Sequence, residues 1–184
     1  VETPTKLDEN SCLIKVLYAG VQASDVIQIA GGYGALAGQN VDSKYNGNLQ
    51  RGDTGCEAVG VVVKVGSNVK HLKIGQAVVW SSFGCAFREY VPLPANILLS
   101  ISSPDPKWIL LPVSAMTAVL ALEISARLKE GETVLVTGAA GGTGQIAVQW
   151  AKMKNCKVVG TCGSEEKVKL LKSFGCDIVI NYKT

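Results

Sequence analysis

The residues with the clearest chemical meaning are small ones. Residues 133–145 read Thr-Val-Leu-Val-Thr-Gly-Ala-Ala-Gly-Gly-Thr-Gly-Gln, a β-rich apolar run that passes straight into a glycine-rich turn. Residues 145–152, Gln-Ile-Ala-Val-Gln-Trp-Ala-Lys, continue as a helix-like segment. Gly138, Ala140, Gly141, Gly142, Thr143 and Gly144 leave the backbone free to approach a pyrophosphate. The N–H groups and dipole at a helix N-terminus bind such an anion. Glycines alone would say little; their place after a strand and before a helix is what points to a dinucleotide. The next strand bears on which dinucleotide. Folds that bind NAD end it with an Asp or Glu that accepts from the ribose 2′-OH. Here it ends Val158-Val-Gly-Thr-Cys-Gly163, with no acid. Ser164 can donate to a 2′-phosphate and Lys167 can supply charge. Glu165 and Glu166 open the following helix, where they favour its dipole and can point away. The pattern favours NADPH over NADH.

Elements of two kinds must position these residues. Strand 133–137, helix 143–153, strand 157–161, helix 164–174 and strand 177–180 alternate in order, which predicts a parallel sheet with right-handed crossovers. The earlier chain is β-rich, with strands predicted at 12–19, 58–65, 76–80 and 87–91, the last ended by Pro92 and Pro94. Residues 24–29 read as a helical turn with Ser24 as a possible cap. Residues 31–52 read as a long loop with little charge. The composition shifts near Pro104 and 105–126 becomes helical, which divides the chain into 1–104 and 105–184. A doubly wound sheet normally has two halves, and only one is present. The strand at 133–137 is expected to have an unfilled neighbouring position, and the chain to be part of a longer protein, unless a partner chain or a dimer contact covers that edge.

The 184 residues carry a net charge of +3 with no long basic run, too little to argue for nucleic acid. The apolar stretch 110–122 is short and holds Pro112, Ser114 and Thr117, so no membrane span is expected. Six scattered cysteines, with no Cys-x-x-Cys pair, read as buried thiols in a reducing compartment. A cytoplasmic location is expected, with peroxisome or mitochondrion as alternatives.

The run Gly55-Cys-Glu-Ala-Val-Gly60, followed by Gly66 and Val69, resembles the Gly-His-Glu-x-x-Gly signature of the medium-chain dehydrogenase/reductases. With Val134 to Gln145 the resemblance covers most of the chain. Residues 134–145, 160–167 and 180–184 are most similar to the zinc-free quinone oxidoreductase and ζ-crystallin branch, and within it to the prostaglandin reductases. The resemblance implies an α/β architecture: a GroES-like β-rich N-terminal domain followed by the first half of a Rossmann doubly wound parallel sheet. It also implies an active site in a cleft between the domains and a homodimeric full-length protein. The branch's pocket motif, Asn-x-x-Asp followed by Gly-x-Tyr, corresponds to Gln22, Asp25 and Tyr33, with Gln22 departing from the usual Asn. Asp25 has a second reading as a helix cap. Thr117 corresponds to a threonine facing the nicotinamide, and Tyr182 to a contact with the 2′-phosphate.

Zinc-dependent members carry Cys and His where Gln22 and Cys56 stand, and the single histidine, His71, falls in a turn. One sulfur cannot supply the three protein ligands of a catalytic zinc, so no metal is expected. The implied activity is hydride transfer from NADPH to the carbon–carbon double bond of an α,β-unsaturated ketone, such as a 15-oxoprostaglandin-like enone, or to a quinone. The rival reading is a catalytically silent crystallin-like or RNA-binding member that keeps nucleotide binding.

Overall fold

The computed structural model describes residues 6–29 and 54–184. The chain forms two compact units, Val1–Pro112 and Val113–Thr184. The first is built on an antiparallel sheet of β1 (Ser11–Ala19), β2 (Glu57–Val65), β3 (Ala77–Ser81), β4 (Tyr90–Pro94) and β5 (Leu99–Ser100), in the order β4-β1-β2-β3-β5. Its core gathers Ile14, Val62, Val78, Trp80, Val91 and Leu93. Trp80 is fully buried and its indole N–H has no partner. That orphan donor costs about 1–3 kcal/mol. A Trp ring buries about 200 Å², and at about 25 cal/mol per Å² this contributes roughly 5 kcal/mol, so burial wins.

Two register shifts interrupt the pairing of β1 with β2, between Leu13 and Ile14 and between Val16 and Tyr18. Such bulges bend and twist a strand. The ladder ends with Ala19 opposite Ala58, and the Gly20 N–H donates to the Glu57 carbonyl at 3.0 Å. A side chain at Gly20 would meet Glu57 Oε1 at 2.8 Å. The chain can therefore turn tightly there into α1 (Ala23–Ile29), directly beside the start of β2.

Several expectations need correction. The fourth strand is 90–94, not 87–91, and Pro92 and Pro94 lie inside it, opposite Leu13 and Ser11. They are tolerated because β4 is an edge strand, where a missing N–H breaks no ladder bond. The short β5 had no sequence signal. The apolar stretch is longer than 110–122: helical residues Pro106–Ser125 run for 20 residues at a mean hydropathy of 1.8, long and apolar enough by composition to cross a membrane. It opens as a 3₁₀ turn (Pro106–Leu110) capped by Asp105, which accepts from the Lys107 N–H at 2.9 Å. It continues through a π turn (Leu111–Ala115), α2 (Met116–Leu120) and a second π turn (Ala121–Ser125). Pro112 brings no N–H to the first π turn, which suits a departure from regular bonding there. The 3₁₀ turn packs against β1, β2 and β3, which explains why the first unit extends past Pro104 to Pro112.

The second unit holds a parallel sheet in the order β6-β7-β8, from β6 (Thr133–Val136), β7 (Lys157–Cys162) and β8 (Ile178–Asn181). Crossovers α3 (Gly142–Met153) and α4 (Glu165–Ser173) bury Val148, Ala151 and Leu171 against Val158. Among the described residues β6 pairs on one side only, and Leu135 on it is 62 % exposed. Asp177 ties the layers together: it accepts from the Val158 N–H at 2.6 Å and from Lys152 Nζ at 2.8 Å. Glu123 does the same for the helices, accepting from Trp150 Nε1 at 2.6 Å and Lys154 Nζ at 2.7 Å. The Lys154 hydrogen bond, then that of Trp150, holds its carboxyl below the ordinary range. A depressed carboxylate contributes stability that is present above its unfolded pKa and lost as pH falls through the folded one. Glu123→Gln is expected to lower the melting temperature at pH 7 and to flatten the acid loss of stability below the ordinary carboxylate range. Thermal melts of both proteins from pH 7 to pH 3 check this; parallel curves would contradict it.

Candidate functional site

The second unit presents a cleft at the carboxyl ends of β6 and β7, lined by Gly138, Ala140, Gly141, Cys162, Gly163, Lys167 and Tyr182. The turn after β6 is pinned to β7 by Thr161. Its Oγ1 accepts from the Gly138 N–H at 3.2 Å, and its carbonyl accepts from the Ala139 N–H at 2.9 Å. Gly141 caps α3 without a side-chain bond. The first N–H groups of α3 are thus left for an external acceptor. Gly144 is buried against the turn itself: a Cβ there would lie 2.6 Å from the Gly138 carbonyl oxygen and 2.7 Å from Ala139. Gly142 faces Ser114, whose hydroxyl would meet a Cβ at 2.8 Å. Thr143 is half-buried in the first turn of α3.

At the far wall, Ser164 caps α4, its Oγ accepting from the Lys167 N–H at 3.4 Å, so its own hydrogen remains free to donate. Tyr182 is anchored by its N–H to the Cys162 carbonyl at 3.0 Å, and its ring lies on Gly163, where a Cβ would come within 2.9 Å of the phenol oxygen. Lys167 is exposed. Glu165 accepts from Asn181 Nδ2 at 2.8 Å through one oxygen, Oε1. No acid is among the residues lining the cleft. The donor set fits a phosphate-bearing nucleotide.

The first unit carries a second polar cluster, at the start of α1. Asp25, 1 % exposed, accepts from the Gln22 N–H at 2.8 Å, so the capping role belongs to Asp25. Ser24, the expected cap, sits in the first turn instead and donates to Gln22 Oε1 at 3.4 Å. Its Oγ lies 3.8 Å from Cys56 Sγ. Cys56 and Glu57 are buried. Burial, opposed by the Ser24 hydrogen bond and aided by the Asp25 and Glu57 charges, pushes the Cys56 thiol up to about 11. Burial and the Asp25 charge also raise Glu57, against a hydrogen bond from the Gln22 side chain. One oxygen of Asp25 (Oδ1) and one of Glu57 (Oε2) have no partner.

Gly138, Ala140, Gly141, Lys167 and Tyr182 line one cleft, with Ser164 capping the helix beside it. Gln22 and Asp25 meet in the other cluster. Thr117 is exposed on α2 and does not line the cleft. Tyr33 lies outside the described residues, as does the loop 31–52. The sequence reading missed Thr161, Ser24 and Glu57 as members of these sites. Glu57 had a signal, as the acid of the Gly-x-Glu run; Thr161 had none beyond its place at a strand end. Among the described residues no group of three or more His, Cys, Asp or Glu side chains could hold a metal ion.

Residues 8–103 match the alcohol dehydrogenase GroES-like domain family, and residues 142–184 match the zinc-binding dehydrogenase family. The chain belongs to the medium-chain dehydrogenase/reductase superfamily. It is 45 % identical to a probable quinone oxidoreductase of Leishmania amazonensis, over 98 % of this chain and 50 % of that protein. It is 40 % identical to prostaglandin reductase-3 of Mus musculus, over 96 % and 44 %. The Escherichia coli quinone oxidoreductase solved in complex with NADPH is 28 % identical, with a TM-score of 0.82, over 100 % of this chain and 53 % of that one. The chain spans about half the length of the curated relatives it matches.

The two glycines at the head of α3 differ in what a methyl group would meet. Gly144→Ala drives Cβ into backbone and is expected to cost about 1–3 kcal/mol. Gly142→Ala meets a rotatable hydroxyl and should cost less than half as much. Denaturant titration of the two variants checks the order, and equal losses would contradict it.

Proposed function

We propose that the protein is an NADPH-dependent reductase that acts on α,β-unsaturated ketones of the 15-oxoprostaglandin type, or on quinones, without zinc. The observation that carries this reading is the wall of the nucleotide cleft. Lys167, Tyr182 and the cap hydroxyl of Ser164 stand where an NAD-binding fold would place an acid. A 2′-phosphate would meet one ammonium and two hydroxyl donors there, with one oxygen of Glu165 engaged by Asn181. The Gly138–Gly144 turn offers the backbone N–H groups a pyrophosphate needs. The matching relatives named as quinone oxidoreductase and prostaglandin reductase, and the NADPH complex among the solved structures, support the same reading.

When bound, a reduced nicotinamide supplies the hydride. The chain's own residues bind and orient. In this reading Thr117 faces the nicotinamide, and Gln22 donates its amide N–H to the acceptor's carbonyl oxygen, which draws electron density from the double bond. Tyr33 is assigned a second donor role to the same oxygen. Asp25 fixes the Gln22 backbone through its 2.8 Å bond. Burial holds the Cys56 thiol at about 11, so it stands protonated at neutral pH. Radical detection during turnover separates one-electron quinone reduction, which releases semiquinone, from two-electron enone reduction, which does not.

NADPH is expected to bind more tightly than NADH. Lys167→Ala should weaken NADPH by about 1–3 kcal/mol, as for a charge-assisted contact, and leave NADH nearly unchanged. Fluorescence titration with both nucleotides measures this, and equal affinities in the parent would sink the assignment. Elemental analysis of protein purified without chelator should find zinc well below one equivalent. Stoichiometric zinc whose removal abolishes turnover would overturn the zinc-free reading.

A further inference from the structure

A serine inside a helix ordinarily settles its hydroxyl on a backbone carbonyl three or four residues back. Ser173 in α4 does so, donating to the Leu170 carbonyl at 2.7 Å. Ser114, in the π turn Leu111–Ala115, does not. It is 9 % exposed, and among the described residues its hydroxyl has no hydrogen-bond partner. Asp25 Oδ1 and Glu57 Oε2 are also unpartnered but are sealed from solvent, whereas the Ser114 oxygen keeps an opening. A hydroxyl nine-tenths buried and left unpaired is unfavourable until something arrives to meet it.

The hydroxyl faces the head of α3. A Cβ on Gly142 would lie 2.8 Å from Ser114 Oγ and 3.7 Å from Ser114 Cβ, so the oxygen is the nearer atom and points at the helix start. Both residues belong to the second unit. Gly142 is the first residue of a 12-residue helix, and Gly141 before it gives no side-chain cap. The first N–H groups there lack internal partners and carry the positive end of the helix dipole. Two kinds of donor thus meet at one place, and the missing side chain at position 142 keeps the hydroxyl uncovered. An occupant that satisfies both must accept several hydrogen bonds and gain from positive potential. An anion with more than one oxygen does so.

We propose that Ser114 is a cofactor-binding residue whose hydroxyl donates to a pyrophosphate oxygen of the dinucleotide at the head of α3. This rests on the reading above that the cleft takes NADPH. Ser114 and the far wall then have separate tasks. Lys167, Tyr182 and Ser164 serve the 2′-phosphate, which only NADPH carries. Ser114 serves the pyrophosphate, which NADPH and NADH share, so it contributes affinity without discrimination. Thr117 follows it by three residues on the same helical stretch and is exposed, which puts Ser114 on the side of the phosphate turn where the nicotinamide is assigned. Binding converts an unpaired hydroxyl into a charge-assisted hydrogen bond. Removing the hydroxyl therefore weakens the complex and takes no bond from the free protein.

The test is calorimetric titration of the full-length enzyme with NADPH, NADH and adenosine 2′-monophosphate, the last of which carries the 2′-phosphate and no pyrophosphate. Ser114→Ala is expected to weaken NADPH and NADH by the same factor, about tenfold, and to leave adenosine 2′-monophosphate unchanged. Lys167→Ala is the mirror control: it should weaken NADPH and adenosine 2′-monophosphate and spare NADH. Thermal melts without nucleotide accompany both. Ser114→Ala should melt no lower than the parent, since an unpaired hydroxyl is all that it loses. Unchanged affinities in Ser114→Ala, losses that differ between NADPH and NADH, a loss that extends to adenosine 2′-monophosphate, or a lowered melting temperature overturns the assignment while leaving the reductase reading intact. A parent enzyme that binds neither NADPH nor adenosine 2′-monophosphate overturns both.

Discussion

The close seating of α3 on the turn that follows β6 is the constraint on which the second unit depends. A parallel strand must be followed by a crossover that packs back on the sheet, and the start of that crossover is crowded. Gly144 lets the helix backbone touch the Gly138 carbonyl and Ala139, and the buried Ala147, Val148 and Ala151 continue the contact along the helix. Once α3 is seated, β7 lies parallel to β6 with Val134 opposite Val158, and the Thr161 side chain can reach back to pin the turn. The same closeness that packs the core sets the head of α3 beside the turn that lines the cleft. On the proposed reading, folding and anion binding share one steric requirement.

The far wall of that cleft is built more loosely. Lys167 and Tyr182 are exposed, and they reach the rim from two different elements, the first turn of α4 and the end of β8. Only backbone bonds fix their origin, above all the Tyr182 N–H on the Cys162 carbonyl. A charge near the surface contributes less than a buried one because water and salt screen it. On the proposed reading, a 2′-phosphate would meet the Lys167 charge at a rim with no lining acid.

The first unit solves a different problem. Its strands form a dry core around Trp80, yet at the turn from β1 into α1 it buries two carboxyls and a thiol. Asp25 recovers part of its desolvation cost by accepting from the Gln22 N–H, while Glu57 recovers less. Places where a fold accepts such a cost without structural return are where function is expected.

The sequence by itself determined the element types and much of their order. The regular alternation after Gly131 required a parallel sheet, because strands and helices of that length admit few other packings. The turn at Gly138 to Gly144 and the missing acid after Thr161 could be read directly, since both are local features of adjacent residues. Tertiary structure alone decided the rest. Pro92 and Pro94 look like strand breakers until β4 is found at a sheet edge, where their missing N–H costs nothing. The extent of the first compact unit, to Pro112, is decided by the 3₁₀ turn after Pro104 packing on the first sheet. Ser24 looks like a cap until Asp25 is found holding the Gln22 N–H. Glu57 reads as one acid in a motif, and only the bulged pairing of β1 with β2 sets it beside α1, whose Ser24 lies 32 residues before the adjacent Cys56. The physical reason is common to all four. Propensity and motif are properties of neighbours along the chain, whereas burial, edge position and hydrogen-bond partners depend on residues brought together only when the chain folds.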